Sequence, residues 1–344
     1  ADGNQTKLQT STGEWEVAYN ALNQAWAPGG SSSGSATSVA GDFAVAGIAE
    51  ETGGSIQNPA SAQSLFGIKP TFGLCSRAGV IPLAHSLDTT GPMARTAADC
   101  AVLLQAMAGH DPEDPCSADR PAPDLLSELE GGVRGLRVGV VRHYFEEDQE
   151  VSPAVRAAVD GAATALREMG AEVREVRLPA LGDFNAAGWL ILMAEAYAIH
   201  EAWLRARYRD YGEFLRERLA VAATVSAADY LQAQRRRRAL CDAVSAAMRD
   251  HDLLLTAAQP AEARLIGQMT KWASFEAPNF TIPFNLTGQP AMVVRGGFGE
   301  GGMPVGVQIA GRPFDDAAVL RAAHALEKAL GLNGRCPPEA VAVP

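Results

Sequence analysis

The chain has 344 residues, of which 47% are hydrophobic and 20% charged, so it can bury a large core and is neither disordered nor of low complexity. A formal net charge of −11 argues against a nucleic-acid partner, because polyanion binding draws on clustered Lys and Arg. The one basic run, Arg235 to Arg238, reads as a solvated helix face.

Five scattered cysteines without C-x-x-C spacing suggest neither a disulfide framework nor a zinc site, and the six histidines lack metal-site spacing. No uncharged apolar stretch has the length of a membrane span, and Ala1 to Gln5 has neither the basic start nor the apolar run of a signal peptide. The expectation is a cytoplasmic protein with no metal, no other cofactor and no membrane partner.

In chain order, Pro28 to Ser35 is too rich in Gly and Ser for an element interior and reads as a loop opening a helix over 36–40. Phe43 to Ile48 is an apolar run of strand length. Glu50 to Ser55 then forms a glycine-rich turn, and Pro59 to Phe66 reads as helical. Thr96 to Ala108 carries an N-cap Thr with Asp99 three residues on, an apolar face and Gly109 as its stop. Leu136 to Val141 reads as a buried strand, Pro153 to Met169 as a helix capped by Ser152, and Glu172 to Leu178 as a second strand, a β-α-β rhythm that implies a mixed α/β sheet. Residues 186–250 read as mainly helical, with late strands at Val293–Val294 and Val305–Ile309. No internal repeat is visible.

The two Gly/Ser segments carry the chemistry. A serine hydroxyl attacks an amide carbonyl only if one group takes its proton and others stabilise the oxyanion. Two glycines before Ser55 leave the N–H groups of Thr52, Gly53 and Gly54 free to converge on one point, although an isolated Gly-Gly-Ser is more often only a tight turn. Gly30 to Gly34 also satisfies the G-x-S-x-G nucleophile elbow with Ser32 at its centre, but the polar stretch before it, ending in Pro28, is poor strand material.

The wider sequence resembles the amidase signature family. The motifs that carry the resemblance are Gly29-Gly30-Ser31-Ser32-Ser33-Gly34-Ser35, Glu51-Thr52-Gly53-Gly54-Ser55-Ile56, Gly67-Ile68-Lys69-Pro70-Thr71, Ser86-Leu87-Asp88, Gly91-Pro92-Met93 and Arg95. Asn285 to Ala291 and Met303 to Gln308 resemble the family's closing strand region.

The resemblance implies a single domain over 1–344, a mixed central sheet covered by helices on both faces. Its signature core would occupy about 1–120 and 280–330, with a helical, substrate-specifying region about 180–280. It further implies amide C–N hydrolysis through a serine acyl-enzyme on a small-molecule amide, with Ser55 as nucleophile and Ser31, after a cis peptide bond, as proton relay. Thr52, Gly53 and Gly54 would form the oxyanion hole. Gln57, Trp272, Phe275 and Asn279 are candidate substrate contacts, with Phe280 beside them, and Asp88 and Arg95 are read as holding the signature loops.

The relay would end on a neutral lysine that the family carries upstream of the serine-rich loop. Lys7 and Lys69 match other family lysines with scaffold roles, so the expectation is a sequence lacking an N-terminal part, or else a member inactive for want of the lysine. An amidase-like member of a multi-subunit amidotransferase is the alternative to a free-standing amidase. A homodimer is compatible with either.

Overall fold

A computed structural model describes residues 18–268, 270 and 272–332, together with the backbone of 7–10 and 13–16. In chain order the elements are β1 (Lys7–Thr10), β2 (Gly13–Glu16), α1 (Ser33–Ala40), β3 (Ala46–Glu51), α2 (Gln57–Ala62), β4 (Phe66–Lys69), β5 (Thr89–Ala94) and α3 (Ala97–Met107). There follow β6 (Arg137–Val140), α4 (Pro153–Glu168), β7 (Glu172–Glu175), α5 (Leu181–Arg207), α6 (Glu213–Ala222), α7 (Ala227–Ala247) and β8 (Leu253–Ala257). The last are α8 (Ala273–Glu276), α9 (Ile282–Thr287), β9 (Ala291–Phe298), β10 (Pro304–Gly311) and α10 (Asp316–Leu330).

Eight strands form one sheet in the order β3-β5-β4-β9-β10-β8-β6-β7, and β1 pairs with β2 apart from it. β6 runs parallel to both β7 and β8, and the other pairings are antiparallel, so the sheet is mixed as expected. Every residue of β4, β5, β8 and β10 is buried, the signature of strands covered on both faces. One cover lies toward α4, where a Cβ on Gly296 would meet Ala158. The other lies toward α2, where a Cβ on Gly306 would meet Ser61.

The caps read from sequence are present. The Thr96 side chain accepts from Asp99 N at the start of α3, and Ser152 does the same for Val155 N ahead of Pro153 in α4. Several expectations need correction, and the first is the helix read over 59–66, which is α2 and ends at Ala62, with Phe66 opening β4.

The strand expected at 43–48 begins three residues later. The chain leaving α1 turns back with Phe43 N and Ala44 N both donating to Ser38 O, which leaves Phe43 86% and Val45 73% exposed. Glu50 and Glu51, read as part of the turn, are instead the last two residues of β3.

The basic run is not wholly a solvated face. Arg236 and Arg238 pair with Asp183 and Asp242 near the surface. Arg237 turns inward, donating to Leu286 O and to the hydroxyl and carbonyl oxygens of Ser86.

Candidate active site

Ser55 sits where β3 ends and α2 begins, and the turn that carries it is held from three sides. The first is the serine-rich loop. Ser32 N donates to Ser55 O at 3.3 Å, Ser32 Oγ to Glu50 O at 3.2 Å and Ser35 Oγ to Ile48 O at 3.0 Å, so the loop lies along β3 and reaches the turn that carries Ser55. The Gly30–Ser31 peptide is cis. Over residues 18–32 there is no strand, only an isolated bridge at Trp26, so no buried strand leads into this loop and the nucleophile-elbow reading centred on Ser32 is removed. Gly29, at φ +74°, presses so closely on α2 that a Cβ there would come within 2.6 Å of Pro59 Cα. Gln63 fastens the loop to α2 by donating to Pro28 O, and Asn20 donates to Ala27 O and Ala62 O.

The second side is α9. Thr281 Oγ1 donates to Gly53 O at 2.6 Å, and Ile282 packs so tightly that a Cβ on Gly53 would lie 2.9 Å from its Cδ1. Gly54 has φ +140°, and a Cβ there would strike Thr281 Oγ1 at 2.5 Å and Asn58 Nδ2 at 2.6 Å. Gly54 is therefore required by backbone conformation as well as by contact, whereas at Gly53 the near atom is the end of the Ile282 side chain. Among the described residues, the N–H groups of Thr52, Gly53, Gly54 and Ser55 donate to no protein acceptor, and the hydroxyls of Ser31 and Ser55 are also without a hydrogen bond.

The third side is a set of buried carboxylates. Glu51 is fully buried and accepts four hydrogen bonds, from Ile56 N, Gln57 N, Gln57 Nε2 and Asn285 Nδ2, all at 2.8 to 2.9 Å. Asp88 accepts from Leu83 N, Ala84 N and the Thr52 hydroxyl, the last at 2.7 Å. Thr52 Oγ1 also lies 3.0 Å from Glu50 Oε1. One hydroxyl proton cannot serve both carboxylates, and the second contact is satisfied if Glu50 is protonated. Burial, then the charge of Asp88, pushes the Glu50 carboxyl up to about 8, which agrees with that reading. Arg95 pairs with Asp42 and donates to Val39 O, tying the end of β5 to α1.

Gln57 is not at the pocket. It is fully buried beneath the turn, its amide nitrogen is committed to Glu51, and its Oε1 is enclosed. Trp272, Phe275 and Asn279 lie in the segment that leads into Thr281. The Trp272 and Phe275 rings are 6.0 Å apart, Phe275 stacks at 4.5 Å on Trp189 of α5, and Asn279 is clamped through its backbone by Asn185 and through its side chain by Ser274 O. Phe280 is a core residue.

Of the lysines, Lys69 is wholly buried and donates to Pro70 O, and Lys328 pairs with Glu130. The side chains of Lys7 and Lys271 lie outside the described residues. The roles of Glu51 and Asn285 were not read from the sequence. The signal available was a pair of carboxylates, Glu50 and Glu51, closing an otherwise apolar strand directly before the glycine turn that carries Ser55.

Known proteins share this arrangement of chain. The family model described as Amidase matches residues 5–320. The A subunit of glutamyl-tRNA(Gln) amidotransferase from Geotalea daltonii is 38% identical over 335 residues, 90% of this chain and 69% of that protein. Its counterpart from Rubrobacter xylanophilus is 40% identical over 350 residues, 93% of this chain and 72% of that one. The crystal structure of the same amidotransferase component from Thermotoga maritima superposes with a TM-score of 0.82 at 33% identity, over 95% of this chain and 72% of that chain. A match over most of the chain, in sequence and in fold, means that the protein belongs to the amidase (amidase signature) family.

Proposed function

We propose that this chain is the amide-hydrolysing component of a multi-subunit amidotransferase, with Ser55 as its nucleophile. The observation that carries the chemistry is the latch between the two serine segments, Ser32 N to Ser55 O, which puts a second serine-bearing loop against a turn whose N–H groups, from Thr52 to Ser55, have no acceptor among the described residues. In this reading Ser55 Oγ attacks the carbonyl carbon of a primary carboxamide while Ser31 takes its proton and passes it to a neutral lysine amine, the role the family resemblance implies. The negative charge that develops on the carbonyl oxygen is met by the N–H groups of the Thr52–Gly54 segment. The C–N bond then breaks, the nitrogen leaves as ammonia carrying the relayed proton, and water hydrolyses the acyl-enzyme. Residues 180–280 select the substrate, with Trp272 and Phe275 on the approach to the turn.

The setting in a complex is supported by the names of these three relatives, each of them one component of an amidotransferase. Large apolar side chains left in solvent at the sheet edge, Phe43, Val45 and Ile48, fit a chain that meets other proteins. No described helix is long and apolar enough to cross a membrane.

The test is ammonia release from glutamine, asparagine and simple aryl amides, by the chain alone and with the proteins that copurify from its natural source. Release that needs Ser55 and rises with partners is the expected result. Full turnover by the chain alone would instead make it a free-standing amidase. No Ser55-dependent release in either case would overturn both.

A further inference from the structure

The nucleophile turn is bounded at one end by a buried carboxylate whose surroundings are arranged around its charge. Glu51 precedes Ser55 by four residues, at the last position of β3. Its Oε2 accepts from the main-chain N–H groups of Ile56 and Gln57, the two residues directly after Ser55, while its Oε1 accepts from the side-chain amides of Gln57 and Asn285. Both amides turn their NH2 groups to Glu51 at a cost, since Gln57 Oε1 and Asn285 Oδ1 are left buried without a protein partner. Two enclosed amide oxygens without partners are tolerated where the nitrogens face a full negative charge.

Lys69 of β4 is also wholly buried; its ammonium donates to Pro70 O and feels the charge of Glu51 first and Asp316 second. Burial pulls Lys69 down to about 8, and these two carboxylates oppose the fall. Asp316, at the first residue of α10, is itself fixed by Thr71 N and Thr71 Oγ1. Asn285 belongs to α9, the same short helix whose Thr281 holds Gly53 O.

The geometry points to Glu51 as the positioning residue of the nucleophile, fixing the main chain that follows Ser55 through Ile56 and Gln57 and bracing it on α9 through Asn285. This rests on the reading of Ser55 as the nucleophile. Glu51 touches no reacting atom in this scheme. It acts by holding Ser55 Oγ on the line of attack.

Glu51→Gln is the informative change, because an amide presents one acceptor and one donor. With its NH2 toward Ile56 N and Gln57 N it sets N–H against N–H, and with its oxygen there its NH2 is accommodated only if the Gln57 and Asn285 amides flip; in both cases the charge that the four donors faced is gone. Two quantities are read on the folded variant: the second-order rate of labelling of Ser55 by a fluorophosphonate, with the site confirmed by peptide mass, and hydrogen exchange in peptides covering 52–62. The expected result is labelling slowed by about 100-fold, the size of effect that follows a misplacement near 1 Å, together with faster exchange at Ile56 and Gln57. Should Glu51→Gln fail to fold, Asn285→Leu removes a single donor, and labelling slowed several-fold with faster exchange in the same peptides is expected of it.

Unchanged exchange, or faster exchange with wild-type labelling rates, would overturn the positioning role while leaving Ser55 as nucleophile. Failure of the wild-type protein to label at Ser55 would overturn the nucleophile reading and the positioning role with it.

Discussion

The Thr281 hydroxyl donates to the carbonyl of Gly53 at 2.6 Å, across 228 residues of sequence. The same contact prevents any side chain at Gly54, since a Cβ there would lie 2.5 Å from that hydroxyl.

Gly54→Ala should therefore fail on two counts, a left-handed φ of +140° and a clash with both Thr281 Oγ1 and Asn58 Nδ2. Strain of this kind costs on the order of 1–3 kcal/mol, and relief would come only by opening the turn. Urea unfolding should show that loss, with amide hydrolysis falling further than stability. A variant of wild-type stability would mean that the turn has room which the structure does not show.

Thr281→Val keeps the shape of the side chain and removes its donor. The loss of one hydrogen bond is about 1 kcal/mol. The expected signature is a modest fall in stability with a several-fold drop in kcat at nearly constant KM. A change confined to KM would place Thr281 on the substrate and not on the turn.

Ser55→Ala should leave the circular dichroism spectrum and unfolding midpoint near those of the wild type and reduce ammonia release by ~10^3-fold or more, as loss of an attacking hydroxyl does. Ser31→Ala should lower kcat by several orders of magnitude with a smaller effect on KM, since the proton route is lost but the pocket is not. Full activity in the first variant would remove Ser55 from the mechanism. A pure KM effect in the second would make Ser31 a binding residue.

Glu50 provides a pH prediction. Its folded carboxyl is raised to about 8 from an ordinary 4.5, so between those values the folded state holds a proton that the unfolded chain has released. Stability contributed by this site therefore falls as pH rises through that window. Glu50→Gln, which imitates the protonated form, should flatten the decline in unfolding free energy between about pH 5 and 8. Parallel wild-type and variant profiles across that range would show that Glu50 titrates normally.

How much of this was legible in the sequence depends on how local each signal is. The caps at Thr96 and Ser152 involve residues three apart and could be read directly, as could the glycine turn ahead of Ser55. β5 hid behind Gly91-Pro92, residues that ordinarily argue against a strand interior. Gly91 is nevertheless needed there, because a Cβ would lie 2.2 Å from Ile68 O on β4. β8 is five buried residues with no polar alternation to give its period, and β4 ends in a wholly buried lysine, which a pattern of apolar residues does not anticipate. At the site, Ser55, Ser31 and their glycines belong to motifs, whereas Thr281 and Asn285 act through contacts more than two hundred residues long. Gln57 was misplaced for a related reason, since two residues past Ser55 in sequence lies beneath the turn in space.

The span between Gly53 and Thr281 also orders events during synthesis. A ribosome that has passed Ile56 has made every residue of both serine motifs, yet Thr281 and Asn285 lie 228 and 234 residues beyond their partners Gly53 and Glu51 and do not yet exist. Closing so long a loop carries an entropic cost that grows slowly with length and is recovered only when distant partners meet. The turn thus gains its contacts with α9 late, and until α9 docks Ser55 lies in a turn without the support of Thr281 and Asn285.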